Sequence, residues 1–210
     1  MTKKYFKISI AVLTLSLAAC GSIFGPVEQR KVVSFEINDT SVTLPEANCQ
    51  ANRDDILYVS PMRANAPYDS TKMFYGEKQY ELSKYGYSEW AALPTDMLTQ
   101  SINKKLISAC IYKNIANSNA LADANFRLIT QLISLRQNVT LDNSGHPTGA
   151  SNSLIIYGQL INLTNNKVVA SKVFEEQLQS KPGPEAMVIS INQLLTQFNN
   201  ELVDWLKQHS

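Results

Sequence analysis

The chain has 210 residues, of which 44% are hydrophobic and 18% charged, and its formal net charge at pH 7 is +1. A chain of this length and composition can bury the core of one domain. Its charges are scattered and nearly balanced, which excludes the basic footprint of a nucleic-acid-binding protein. The sequence also lacks a repeat with a period of about 20 to 50 residues, which argues against a solenoid.

Residues 1–19 have the composition of a secretory signal peptide. Three lysines form a basic start, an apolar run extends from residue 8 to residue 19, and small residues precede Cys20. The run is too short to cross a bilayer, which takes about 20 residues. The ending Leu17-Ala18-Ala19-Cys20 resembles the lipobox of bacterial lipoproteins, in which the cysteine sulfur receives a diacylglyceryl group and the chain is cut just before it. The resemblance implies that Cys20 is lipidated; the alternatives are an ordinary cleaved signal and a transmembrane anchor.

Lipidation of Cys20 would fix the location of the mature protein. A single acyl chain gives only reversible membrane binding, whereas three chains on one residue would make the anchor permanent. In lipoproteins of this type an aspartate after the cysteine favours the inner membrane, but this chain has Gly21. The resemblance therefore implies the outer membrane, facing the periplasm. We divide the chain into a signal peptide at residues 1–19, a lipidated tether at 20–31 and one periplasmic α/β domain at 32–210.

Strand signals occupy most of the domain. Runs rich in β-branched and aromatic residues predict strands at 31–37, 55–60, 110–115 and 126–141, and hairpins at 71–76 with 78–82 and at 153–163 with 168–178. In the long strand at 126–141, the odd positions, including Ile129, Ile133 and Val139, are expected to share one apolar face. Gln131 and Gln137 interrupt that face.

Two long helices complete the predicted domain. One begins at Pro94, because the first helical turn has no intrahelical N–H bond for proline to lose. The other covers about residues 185–207 and carries one apolar stripe that ends near Trp205. Each stripe must be buried against a sheet. We therefore predict a single α/β domain with one mixed, mostly antiparallel sheet of about six or seven strands and both helices on one face.

The segment around the first hairpin resembles a known family. It contains Tyr68-Asp69-Ser70, Met73-Phe74-Tyr75, Tyr80-Glu81-Leu82, and then Glu89-Trp90-Ala91-Ala92-Leu93-Pro94 at the start of the helix. This order resembles the ABC-type transport auxiliary lipoproteins, the PqiC-like family, in which a tyrosine-rich hairpin leads to a Trp-(x)₃-Pro segment. Trp90 and Pro94 match that spacing, whereas Leu93 stands where the family often has a second proline. The resemblance covers roughly residues 32–207.

The resemblance implies a role in an MCE-type lipid transport system. Such a system combines an inner-membrane permease and ATPase with MCE proteins that form a tube across the periplasm. The auxiliary lipoprotein is tied to the outer membrane, contacts the MCE-domain protein, and has neither catalytic activity nor a cofactor. Two other hypotheses remain: a periplasmic lipid-binding shuttle, which needs an apolar cavity of roughly 300–1,000 Å³, and an envelope-assembly lipoprotein with an unrelated partner.

The aromatic hairpin is the candidate partner surface. Seven aromatic residues lie between Tyr68 and Trp90, and aromatic side chains are enriched both in cores and at protein interfaces. We predict that Tyr80, Tyr85, Tyr87 and Trp90 are partly exposed and contact the MCE partner. The alternatives are that they are core and edge residues of the hairpin, with Trp90 packed at the start of the helix, or that they form a shelf for lipid headgroups.

Two cysteines besides Cys20 form a candidate disulfide. Outside the cytoplasm Cys49 and Cys110 can oxidise, and a bridge between them would close a long loop and stabilise the domain by roughly 4 kcal/mol. Two free thiols are the alternative. Clustered metal ligands are missing from the sequence, and His146 beside Asp142 and Ser144 does not by itself make a catalytic triad. We therefore expect no enzyme and no metal.

Overall fold

The structure, a computed structural model, describes residues 30–44, 51, 53–116 and 123–209. The predicted signal peptide, most of the tether, Cys20 and Cys49 lie outside these residues. A compact unit spans Val32–Ser210. Among the described residues, no helix is long and apolar enough to cross a membrane.

The described chain contains nine strands and two helices. In order they are β1 (Val33–Phe35), β2 (Arg53–Val59), β3 (Arg63–Ala64), β4 (Lys72–Gly76), β5 (Ser83–Trp90), α1 (Pro94–Ala109), β6 (Tyr112–Ala116), β7 (Phe126–Leu141), β8 (Pro147–Asn162), β9 (Lys167–Ser180) and α2 (Pro184–His209). All nine strands belong to one mixed sheet. The α/β class and the two long helices agree with the prediction.

Strand β7 organises the sheet. Along one edge it pairs with β8, and β9 lies outside β8. Along its other edge β7 pairs in succession with β2, β3 and β4, all parallel to it. Strand β6 continues the sheet beyond β2, while β5 and then β1 continue it beyond β4. Strand β7 is therefore the element that joins all the other parts of the sheet.

The strand count and orientation differ from the prediction. The described residues contain nine strands instead of about six or seven. Strand β3 was not predicted, because it has only two residues, too few to show a period, and β1 covers only three of the residues predicted as a strand at 31–37. Five of the eight described strand pairings are parallel, although the longest ladders, β7 with β8 and β8 with β9, are antiparallel. Parallel partners come from distant segments, so no local pattern in the sequence reveals them.

The first hairpin is also displaced from its predicted position. Its second strand is β5, and the residues predicted as that strand, 78–82, belong to the connection at 77–82 instead. The backbone folds back so closely that a Cβ on Gly76 would lie 2.6 Å from the carbonyl oxygen of Glu81. Only glycine fits this approach, so Gly76 ends β4 and starts a longer loop than the sequence suggested.

A β-bulge in β7 overturns the predicted apolar face. The register with β8 shifts between Leu132 and Ser134. Before the bulge the even positions are buried, and after it the odd positions are buried, including Leu135 and Val139. Ile133 is therefore 45% exposed, and Ile129 is only half-buried. A bulge inserts one residue and reverses the alternation of faces.

Both helices pack on the sheet and on each other. Helix α1 begins at Pro94 as predicted and ends where Cys110 adopts a left-handed conformation with φ 51°. Helix α2 follows Gly183, which has φ 118°, and buries an apolar stripe against β8 and β9. Within the core, Phe174 of β9 makes edge-to-face contacts with Phe198 and Trp205, at centroid distances of 5.2 and 5.7 Å.

Candidate partner surface

Residues 77–82, which we call the hairpin tip, present an aromatic side chain to solvent. Tyr80 is 95% exposed, and its backbone has φ 64°. A bulky residue in this conformation is strained. The turn is nevertheless closed, because the Glu81 N–H donates to the carbonyl of Lys78 at 3.1 Å. The ring thus projects from a hydrogen-bonded turn, and Leu82, two residues further on, is 39% exposed.

A cleft of about 330 Å³ lies next to the hairpin tip. It is lined by residues 76–80 and by Arg136, Asn138 and Val139 of β7. Arg136 and Lys78 bring positive charge to its wall, and Glu77 brings negative charge. An exposed aromatic ring beside a cleft of mixed polarity is suited to a protein partner, since interface anchors combine aromatic area with polar surroundings.

The other three predicted aromatic residues lie in different environments. Tyr87 is 51% exposed and stays a candidate for the surface. Tyr85 is half-buried, stacks against Tyr75 at 4.6 Å, and donates its hydroxyl hydrogen to Oε1 of Gln137 at 2.8 Å. Burial, reinforced by the neighbouring Tyr75, raises the pKa of Tyr85 to about 12, so its hydroxyl remains a donor at neutral pH. Tyr85 therefore stabilises the hairpin by packing on Tyr75 and bonding to Gln137 of β7.

The prediction that Trp90 is partly exposed was wrong. Trp90 is 1% exposed and belongs to the main hydrophobic core. Its backbone N–H donates to the carbonyl of Thr71 at 2.8 Å, which fixes the end of β5 just before α1. A large aromatic side chain at this junction fills the core instead of facing a partner. The candidate surface therefore consists of the hairpin tip, which includes Tyr80, and of Tyr87.

Sequence reasoning missed a buried amide that supports this hairpin. Gln137 is fully buried, and its Oε1 accepts hydrogen bonds from the Tyr85 hydroxyl and from the backbone N–H of Gly183 at 2.9 Å. Its Nε2 donates to Oδ1 of Asn152 at 2.9 Å, directly across the β7–β8 ladder. Gln137 thus connects the hairpin to the start of α2. The sequence does contain a second polar residue, Asn152, on the neighbouring strand. Recognising that it lies opposite Gln137 requires the register of β7 with β8.

A second missed residue is the buried carboxylate Asp39. It is 3% exposed, and it accepts hydrogen bonds from Thr196 and Asn199 of α2, both at 2.9 Å, and from the Ser41 hydroxyl at 2.6 Å. Burial alone would raise the pKa of Asp39, but these hydrogen bonds outweigh it and lower the pKa below its ordinary value. Asp39 therefore fastens the segment after β1 to α2.

The remaining predicted sites are only partly described. Cys110 is disulfide-bonded, but its partner lies outside the described residues, so the pairing with Cys49 remains a prediction. His146 lies 3.7 Å from Asp142 with an exposed ring, and the Asp142 carboxylate accepts the backbone N–H groups of Ser144 and His146 within a turn. Among the described residues no group of three or more His, Cys, Asp or Glu side chains is placed to hold a metal.

Comparison with known proteins identifies similar folds. Neither family models nor curated proteins give a match. A crystal structure of a Xanthomonas campestris protein described with the family model DUF330 is similar over 83% of this chain and 94% of that chain, with 21% identity and a TM-score of 0.66. A crystal structure of an uncharacterized protein is similar over 84% of this chain and 99% of that chain, with 13% identity and a TM-score of 0.60. At these identities the similarity shows the fold alone.

Proposed function

We propose that this chain is an outer-membrane lipoprotein of the periplasm, held by lipid on Cys20, that docks the MCE-domain protein of an ABC lipid transporter. The exposed Tyr80, in the hydrogen-bonded turn of the hairpin tip, is the observation that supports a docking surface most directly. The sequence resemblance to the auxiliary lipoproteins supports the choice of partner. The role is binding and positioning, without catalysis or a cofactor.

The proposed mechanism depends on proximity. A tether of about ten residues spans at most about 35 Å when extended, so lipidation would keep the domain close to the membrane. Confinement of this kind raises the effective concentration of the domain for a tube end that reaches the same membrane. Docking at the hairpin tip would then hold the tube in register with the outer membrane while lipid passes.

The direct test is to replace Tyr80 and measure partner binding. Aromatic anchors at interface centres contribute about 1.4 kcal/mol or more, equivalent to at least about tenfold in affinity. We therefore expect Tyr80→Ala to reduce co-purification of the MCE protein with the detergent-extracted lipoprotein at least about tenfold. Thermal unfolding should be unchanged, because the ring contributes little to the core.

Ile189→Ala provides a matched control for the Tyr80 test. Ile189 is 63% exposed on α2, so its replacement also removes an exposed apolar side chain, but from a different element. We expect it to leave co-purification unchanged. Full retention of the MCE protein by Tyr80→Ala, or equal loss in both variants, would remove the hairpin tip as the docking surface.

The anchor is tested separately by Cys20→Ser. Serine has no thiol to accept a diacylglyceryl group, so the variant should remain unprocessed and unacylated. We expect the wild-type protein to fractionate with outer membranes and its mass to include the acyl chains, while the variant is lost from that fraction. If the variant still sediments with outer membranes, the lipid is not what holds the protein there.

A further inference from the structure

The strand pair formed by β1 and β5 carries exposed apolar side chains where the chain enters the domain. Val33 of β1 pairs in parallel with Ser88 of β5, so Val32 and Tyr87, which precede them, are neighbours. Val32 and Val33 are 47% and 46% exposed, and Tyr87 is 51% exposed. We call these three residues the entry patch. Single exposed apolar side chains are normal on a protein surface, whereas adjacent ones indicate a contact surface.

The chain enters the domain from the end that carries the hairpin tip. Strand β5 begins at Ser83, directly after the hairpin tip, and runs away from it. Since β1 is parallel to β5, β1 runs away from the tip as well. The residue that precedes β1, Val32, therefore lies on the tip side of that strand.

The tether restricts which side of the domain can meet the membrane. It begins at Cys20, and the proposed function, on which this step rests, places acyl chains there that hold it in the bilayer. A compact domain with the length of Val32–Ser210 has a radius of gyration of about 16 Å and is about 40 Å across. Passing around it to the opposite side takes roughly 60 Å, whereas the tether extends at most about 35 Å. The bilayer can therefore meet only the side at which the tether enters.

We propose that the entry patch rests on the phospholipid surface of the membrane that holds the anchor, with Val32, Val33 and Tyr87 inserted among the headgroups. Tyrosine suits this depth, because its ring is apolar and its hydroxyl stays in the polar region. Weak insertion suffices, since the tether keeps the patch and the bilayer at a high effective concentration. Tyr87 is thereby assigned to the membrane, and the hairpin tip is left to the protein partner.

The charges near the entry patch are compatible with a bilayer that contains anionic phospholipids. Arg30 and Lys31 directly precede the patch in the sequence, and cationic side chains beside an insertion point are attracted to such a surface. On β5, the carboxylate of Glu89 is neutralised by Lys72 at 3.0 Å. The first acidic residue after the patch on the other segment is Glu36. Positive charge therefore predominates where the tether meets the patch.

Quenching of a fluorescent label by modified lipids tests this contact. The acylated full-length lipoprotein carries Val33→Cys labelled with the fluorophore NBD, and it is reconstituted into vesicles of phosphatidylethanolamine and phosphatidylglycerol. A fraction of the phospholipid bears a nitroxide on its headgroup, which quenches fluorophores that lie at the bilayer surface. Wild-type protein treated with the same reagent measures any labelling of the native cysteines.

Val168→Cys is the matched control for the labelled position. Val168 is also an exposed valine, at 54%, but it lies on β9, which is separated from β1 by strands β5, β4, β7 and β8. Five strand spacings correspond to about 24 Å across the sheet. We expect quenching at residue 33 to exceed that at residue 168 at least about fivefold, because only a label on the docked surface stays among the nitroxides.

Val32→Ser, added to the labelled Val33→Cys variant, separates docking by the patch from insertion driven by the label. Each apolar carbon removed from the inserted surface weakens partition about fourfold. Serine lacks both methyl groups of valine, so the ratio of docked to free domains should fall at least about tenfold. Quenching at residue 33 should then approach that at residue 168. Circular dichroism verifies that the variant is folded.

Intact mass and flotation with the vesicles distinguish failure of the anchor from failure of the patch. Equal quenching at residues 33 and 168 in acylated, floating protein would overturn the membrane contact and leave the anchor intact. Unchanged quenching after Val32→Ser would do the same. Protein that is neither acylated nor floats would overturn both the anchor and the contact. The assay contains no MCE protein, so docking at Tyr80 is judged independently.

Discussion

Replacing Gln137 with alanine is expected to lower the free energy of unfolding by about 3 kcal/mol, because the substitution leaves several buried polar groups without partners. The Tyr85 hydroxyl and the Gly183 N–H both donate to Oε1 of Gln137, and Asn152 accepts from its Nε2. Each orphaned buried group costs about 1–3 kcal/mol. Urea denaturation followed by circular dichroism measures the change.

Gln131→Ala is the matched control for Gln137→Ala. Gln131 lies on the same strand but before the bulge, where odd positions face away from the core and are only half-buried. The same chemical change there should alter the free energy of unfolding by no more than about 0.5 kcal/mol. Equal losses in the two variants would show that the buried amide network does not hold the hairpin to α2.

The second large effect is expected at Asp39. Asp39→Ala should cost about 2–3 kcal/mol at pH 7, because the hydroxyl of Thr196 and the amide of Asn199 lose their buried acceptor. Asp39→Asn should cost less than Asp39→Ala. Its oxygen can still accept from Thr196. If the Asn199 amide, whose Nδ2 faces Asp39, turns over, the new amide can donate to Oδ1 of Asn199, a buried acceptor that lacks a partner within the described residues.

The pH dependence at Asp39 follows from its lowered pKa. A folded pKa below the unfolded value of about 3.9 means that ionised Asp39 stabilises the fold above that value. This contribution should be lost as the pH falls through the folded pKa. Urea denaturation of wild type and Asp39→Asn at pH 7 and below pH 4 should therefore show the difference in unfolding free energy shrinking in acid. A constant difference across this range would contradict the lowered pKa.

The helices were predictable because their signals are local. Pro94 marks the start of α1, and the stripe that includes Leu194 and Phe198 predicts α2 to within a few residues of its observed ends. These signals depend on neighbours three or four positions away. The long β7–β8–β9 ladder was also largely visible, since its turn at residues 163–166 is flanked by long runs of strand-forming residues.

The order of the strands in the sheet and the exposure of the candidate surface depend on contacts between residues distant in sequence. The sequence alone therefore did not predict them. One inserted residue near Ile133 reverses which positions of β7 face the core, and nothing in the run of β-branched residues marks it. Trp90 and Tyr80 belong to the same aromatic segment, yet the fold buries one and exposes the other. Aromatic content alone does not distinguish an anchor in the core from one at an interface.

Strand β7 imposes an order on assembly. Strands β2, β3 and β4 precede it in the chain by many residues, yet each pairs with its edge. Contacts between such distant segments form slowly. Because the chain is synthesised from its N-terminus, β2, β3 and β4 are complete before β7 and cannot form their pairings with it until residues 126–141 have followed. Among the described strands, the pairings of β1 with β5, β4 with β5 and β2 with β6 can form earlier, so a fragment that ends before β7 would lack the strand that joins these groups into one sheet.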